Sequence, residues 1–186
     1  MPYSTEHGCF YGLEARRVRT TTRKAFITWL DGILNDPVGP YYEPLGLTPD
    51  RLVEVTDNGD QAEALYGDSE LNTYVVAVMQ GDLSSRQWNP VISGQQLEGR
   101  RQEITLDLDM GIAEIAELDV AVQQDADDMI ADFVANAIEF RRWELDALGL
   151  CSVSITPDVI AQQAGTKRNP QNVTFFTRVL GVDEIP

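Results

Sequence analysis

The sequence holds one histidine and two cysteines, and that scarcity removes several chemistries at once. A Ser-His-Asp or Cys-His mechanism would rest on His7 alone, in a segment interrupted by Gly8 and Gly12. Cys9 and Cys151 stand far apart, with no second Cys or His beside either, so the spacing excludes a sequence-evident zinc knuckle or redox CxxC. Two reduced thiols are expected, and a disulfide stays open only if the fold joins them. No run of about 18 apolar residues occurs, so no helix is expected to cross a bilayer. The opening MPYSTEHGCFYGLEARRVR lacks the apolar centre of a signal peptide, which gives the expectation of an intracellular start. No Walker loop, dinucleotide fingerprint or GxSxG elbow is present.

Basic residues are also scarce: 14 against 30 acids, for a net charge of −16. A body this acidic has no positive field with which to displace phosphate counterions, so sequence-specific DNA binding is not expected. Such a protein can still sit beside DNA if its task is to let DNA pass without sticking. The bases that exist are concentrated early. Arg16, Arg17, Arg19, Arg23 and Lys24 outnumber Glu6 and Glu14 over residues 1–24. They form a candidate subunit-interface arm, able to dock on the acidic body of a neighbouring copy, as head-to-tail ring contacts require. A solvated helix entrance explains the same run, and nucleic-acid contact is a weaker third reading.

The hydrophobic fraction of 43% over 186 residues suits one globular domain with its own core. Residues 1–19 are expected to be an N-terminal arm and 20–186 a single α+β domain. In 20-TTTRKAFITWLDGILND-36, Phe26, Trp29, Leu30, Ile33 and Leu34 fall at helical spacing. A proline- and glycine-rich connector follows at 37–50. Then come a short strand at 51–55 and a strongly apolar one at 72–80, ahead of an extended loop near 81–98. The stretch 101–110 alternates strictly, so it is expected to be half-buried and antiparallel to 72–80. A helix at 124–147 begins with Asp125, Asp127 and Asp128, suited to the helix dipole, and ends at Gly149. Strands near 150–156 and 172–181 flank a polar loop containing Gly165, Lys167 and Arg168. The order argues for a mostly antiparallel sheet with two main helices packed on one face.

Asp107 and Asp109, in 103-EITLDLDMG-111, share one strand face and with Glu103 can be drawn as a hard-cation site. Phosphoryl chemistry there also needs further ligands and a nearby Lys, His or Arg. The polar side of any exposed strand predicts the same residues without a metal. The cluster 125-DADD-128 lacks the Gly and distal Glu of an EF-hand.

The second half resembles the tail-terminator or neck (head-tail joining) proteins of tailed bacteriophages. The matching pattern is an arginine-led alternating strand, 100-RRQEITLDLDMG-111, then the helix 124-QDADDMIADFVANAIEF-140. The segment 145-LDALGLCSVSI-155 and the closing strand 173-VTFFTRVLGV-182 complete it. The early helix and its proline-rich connector agree with it, and about 110 residues are covered in all. The resemblance implies a structural virion protein, not an enzyme, with no cofactor and no catalytic residues. It further implies a ring of copies, a hexamer by the family pattern, that joins tail tube to head connector and carries DNA only as a passenger. Its place is the virion neck, after synthesis in host cytoplasm, with no membrane partner. Asp107 and Asp109 then become candidate channel-facing acids. A head-completion or adaptor protein is the structural alternative, and a metal-dependent hydrolase using Asp107 and Asp109 is the catalytic one.

Overall fold

The structure, a computed structural model, describes residues 3–67, 73–113, 120–159, 161 and 168–186. The polar-loop residues Gly165 and Lys167 lie outside the described residues. Nine strands and five helices are seen among them. The strands are β1 (Tyr3–Ser4), β2 (Cys9–Phe10), β3 (Glu54–Thr56), β4 (Tyr74–Trp88), β5 (Val91–Ile92), β6 (Gln95–Gln96), β7 (Gly99–Ile112), β8 (Cys151–Pro157) and β9 (Gln171–Leu180). The helices are α1 (Gly12–Arg16), α2 (Val18–Leu34), α3 (Gly59–Tyr66), α4 (Val120–Phe140) and α5 (Arg142–Ala147).

The main sheet runs β1-β2-β9-β7-β4-β3, with β8 also on β9. Only the β2–β9 and β3–β4 pairings are parallel. The fold is therefore α+β with a mostly antiparallel sheet, and β4 pairs with β7 as the alternation predicts. One sheet face carries Val76, Val78, Ile104, Leu106, Leu108, Met110, Val173 and Phe175. Phe26 and Leu30 of α2 and Ile130, Val134 and Ile138 of α4 close over it in one continuous core. Burying side chains of this size contributes about 1.5–3 kcal/mol each before the entropy of ordering them is subtracted. Helix α3 packs on the other face, where Ala62 and Tyr66 cover Val75 and Ala77.

Several expectations take a different form. The 81–98 segment is no irregular loop: β4 continues through it to Trp88, paired with β7, and the β5–β6 pair closes the end. Beyond a register shift between Gln80 and Leu83, strands β4, β7 and β9 thus extend as a wing past the part of β4 that α3 covers, with β8 and β2 on the other side of β9. Residues 3–16, part of the expected N-terminal arm of residues 1–19, are folded onto the body. Phe10 and Cys9 are fully buried, and β2 is hydrogen-bonded to β9. The helix at 124–147 starts earlier and breaks at Arg141, whose backbone is non-helical. It ends in the αL turn expected at Gly149, where Gly149 N–H donates to the Asp146 carbonyl and Leu150 N–H to the Leu145 carbonyl. Both cysteines are free thiols, Cys9 buried and Cys151 half-buried.

Candidate subunit interface

The early basic residues sit on α1, on α2 and, for Arg17, at the junction between them, exposed except for half-buried Arg23. Three of the five are held within the chain. Arg16 pairs with Asp183 at 3.3 Å, Arg23 with Asp57 at 3.3 Å, and Arg19 donates to the Gly81 carbonyl at 3.2 Å. Arg17 and Lys24 are left projecting into solvent. The structure therefore uses this run to tie the first helices to the chain's C-terminal end, to the turn after β3 and to the root of the wing.

Asp107 and Asp109 do share the sheet face opposite the main core, and each is half-buried. Their surroundings differ. Asp107 lies against Gly81 at the register shift, where a side chain on Gly81 would collide with its carboxylate. Asp109 accepts the backbone N–H of Arg168 at 2.9 Å. Arg168 is the centre of a compact cluster. Its guanidinium bonds to the Ile112 carbonyl, lies 3.8 Å from Asp127, and stacks 4.6 Å from the centre of the Tyr66 ring. Asp127 in turn accepts the Ile112 N–H at 2.7 Å. Burial pushes the Asp127 carboxyl above its ordinary value, against the opposing pull of the Ile112 N–H and Arg168. Burial likewise pushes the Tyr66 hydroxyl up, helped by Asp109.

This is the chemistry of a structural clasp. One arginine and two backbone groups satisfy carboxylates that join β7, α4 and the segment before β9. Among the described residues no three His, Cys, Asp or Glu side chains converge as metal ligands. Asp125, Asp127 and Asp128 lie beyond the first turn of α4, since that helix starts at Val120. Asp127 and Asp128 serve as tertiary acceptors, Asp128 for the Asn169 amide at 2.9 Å.

The sequence reading did not bring three further residues together. Arg86, Arg101 and Arg178 are exposed and occupy directly opposed positions on β4, β7 and β9. Their alignment depends on the register shift in β4, which no alternation pattern announces. On the core side of the wing, a groove of 690 Å³ runs between α1 and the wing, with Arg16, Arg100, Glu98 and Asp183 along it. A shallower hollow carries the exposed Phe140 and Trp143 beside Tyr41.

No family model matches the chain, and no curated protein matches it. Among solved structures it is similar to the sheath/tube terminator of an extracellular contractile injection system (PVC), determined by cryo-EM in the extended state. The identity is 12% and the TM-score 0.49, over 87% of this chain and 56% of that one. The chain spans little more than half the length of that structure, and a likeness of this size assigns it no role.

Proposed function

We propose that this chain is a structural assembly subunit of the tail-terminator type, which joins copies of itself into a ring at a virion neck. The ring sits between tail tube and head connector, and DNA slides through it without being bound. The observation that carries this reading is the wing. Strand β3 pairs with β4 only at Val75, Val76 and Ala77. Beyond them, residues 82–87 of β4 are all exposed along an outer edge that no described strand covers. A long open edge is a hazard in a protein that works alone, and a contact surface in one that works assembled. The element order supports the reading too. The arginine-led strand β7, helix α4, the α5–β8 segment and β9 follow one another as the neck-protein pattern requires. The net charge of −16 suits a channel that phosphates are repelled from.

The test is assembly itself. Light scattering coupled to size exclusion should give a closed oligomer, and electron microscopy should show rings that cap purified tail tubes. A chain that stays monomeric at micromolar concentration and ignores the tubes would sink the proposal.

A further inference from the structure

Arg86, Arg101 and Arg178 form a row of three like charges across adjacent strands. Directly opposed like charges destabilise a sheet, and here two such pairs are stacked side by side. The row receives no relief from within. Among the described residues none of the three forms an ion pair, although Glu103 stands one position along β7 on the same face. Two of the guanidiniums are nevertheless held in place. Arg101 lies 4.1 Å from the centre of the Phe176 ring and Arg178 lies 5.6 Å from that of Trp88. Trp88 packs in turn on a small cluster with Cys9, Ile92 and Leu180. A guanidinium resting on an aromatic face keeps its N–H edge free, in the planar geometry that a carboxylate can take bidentately. The row is thus exposed and short of anions, with two of its three guanidiniums held.

The same chain offers the complement elsewhere. Glu54 on β3 and Asp57, Asp60 and Glu63 at and on α3 are all exposed, beside the start of β4 and so at the far end of that strand from Arg86. No Lys or Arg lies among residues 52–67. Only Asp57 of the four is ion-paired among the described residues, with Arg23. We propose that the Arg86–Arg101–Arg178 row is the contact surface for the acidic β3–α3 edge of a second copy of this chain. The two surfaces are different parts of one molecule, so the contact is heterologous and propagates head to tail, closing into a ring when the rotation allows. The inference rests on the ring reading and names the faces that would meet.

The test uses the full chain and three charge-reversed forms: Arg86→Glu with Arg101→Glu, Asp60→Arg with Glu63→Arg, and all four together. Each is measured by light scattering across protein concentration at about 0.05 M and about 0.5 M salt, where screening differs strongly. Each two-site variant should weaken association by about tenfold or more, and the four-site variant should recover most of it. High salt should weaken the wild type. Arg101→Gln guards against misfolding as an explanation: removing one charge from the row should raise the monomer's melting temperature at low salt while association falls. A wild-type oligomer indifferent to the reversals overturns the inference and leaves the ring standing. A wild type that never associates overturns both. Variants that lose affinity for duplex DNA while associating normally would also overturn it, in favour of a phosphate-binding row.

Discussion

Gly111 sits where the clasp closes. A Cβ there would stand 2.6 Å from the Asp127 carboxylate oxygen and 2.7 Å from Arg168 Cδ, distances at which something must move. Gly111→Ala is therefore expected to destabilise by about 1–3 kcal/mol, as overpacking does, which chemical denaturation would measure. Asp127 gives a second expectation with a definite sign. Burial lifts its folded carboxyl above the ordinary value of 3.8, so the folded state holds the proton more tightly than the unfolded one. The associated stability is full below 3.8 and is lost as pH rises through the folded value. The stability of the wild type relative to Asp127→Asn should then fall as pH rises from 3.8 through the folded value. A flat difference would mean that Arg168 fully offsets the burial. Little of this was legible beforehand. The alternation of 101–110 correctly put Asp107 and Asp109 on one face, yet Asp109 is met 59 positions away by Arg168 and Asp107 lies against Gly81 of the neighbouring strand, beyond the reach of spacing rules.

Among the elements, those with long periodic patterns were readable and the short ones were not. Helix α2 and strands β4, β7, β8 and β9 each repeat enough apolar positions to declare their period. Helix α3 spans only Gly59–Tyr66, is mostly exposed, and depends on a cap that composition does not reveal. The Asn58 side chain accepts from the N–H groups of Asp60 and Gln61 at 3.1 and 3.4 Å. Asn58→Ala should cost about 1 kcal/mol. Hydrogen exchange should localise the loss to α3. If the β3–α3 edge is a contact surface, association should weaken in the same variant. Strands β1 and β2 were missed for a related reason: each has two residues, and only the finished sheet gives them a partner. By contrast Phe26, fully buried beneath the sheet, was placed on the right face by its spacing alone. Phe26→Ala should cost about 3–5 kcal/mol in a melt.

For the molecule as a whole, charge makes the sharpest statement. A chain with a net charge of −16 should show no retention by duplex DNA at physiological salt, in keeping with a passage rather than a grip. A filter-binding measurement checks this, and submillimolar affinity would contradict it. The wing ties that molecular property to one local irregularity. Before the register shift, Val76, Val78 and Gln80 face the main core. After it the partnership passes to Leu83, so odd-numbered residues of β4 take over that side and Arg86 turns to the other. The parity of the strand is set by chain length at Gly81 and Asp82, and not by the chemistry of any residue beyond them. Substitutions along 83–88 would alter one position each, but deleting a single residue at the shift would exchange the two faces of β4 throughout the wing. It would carry Arg86 out of line with Arg101 and turn Leu83 outward. In a lineage of such proteins this stretch should therefore vary in composition while holding its length.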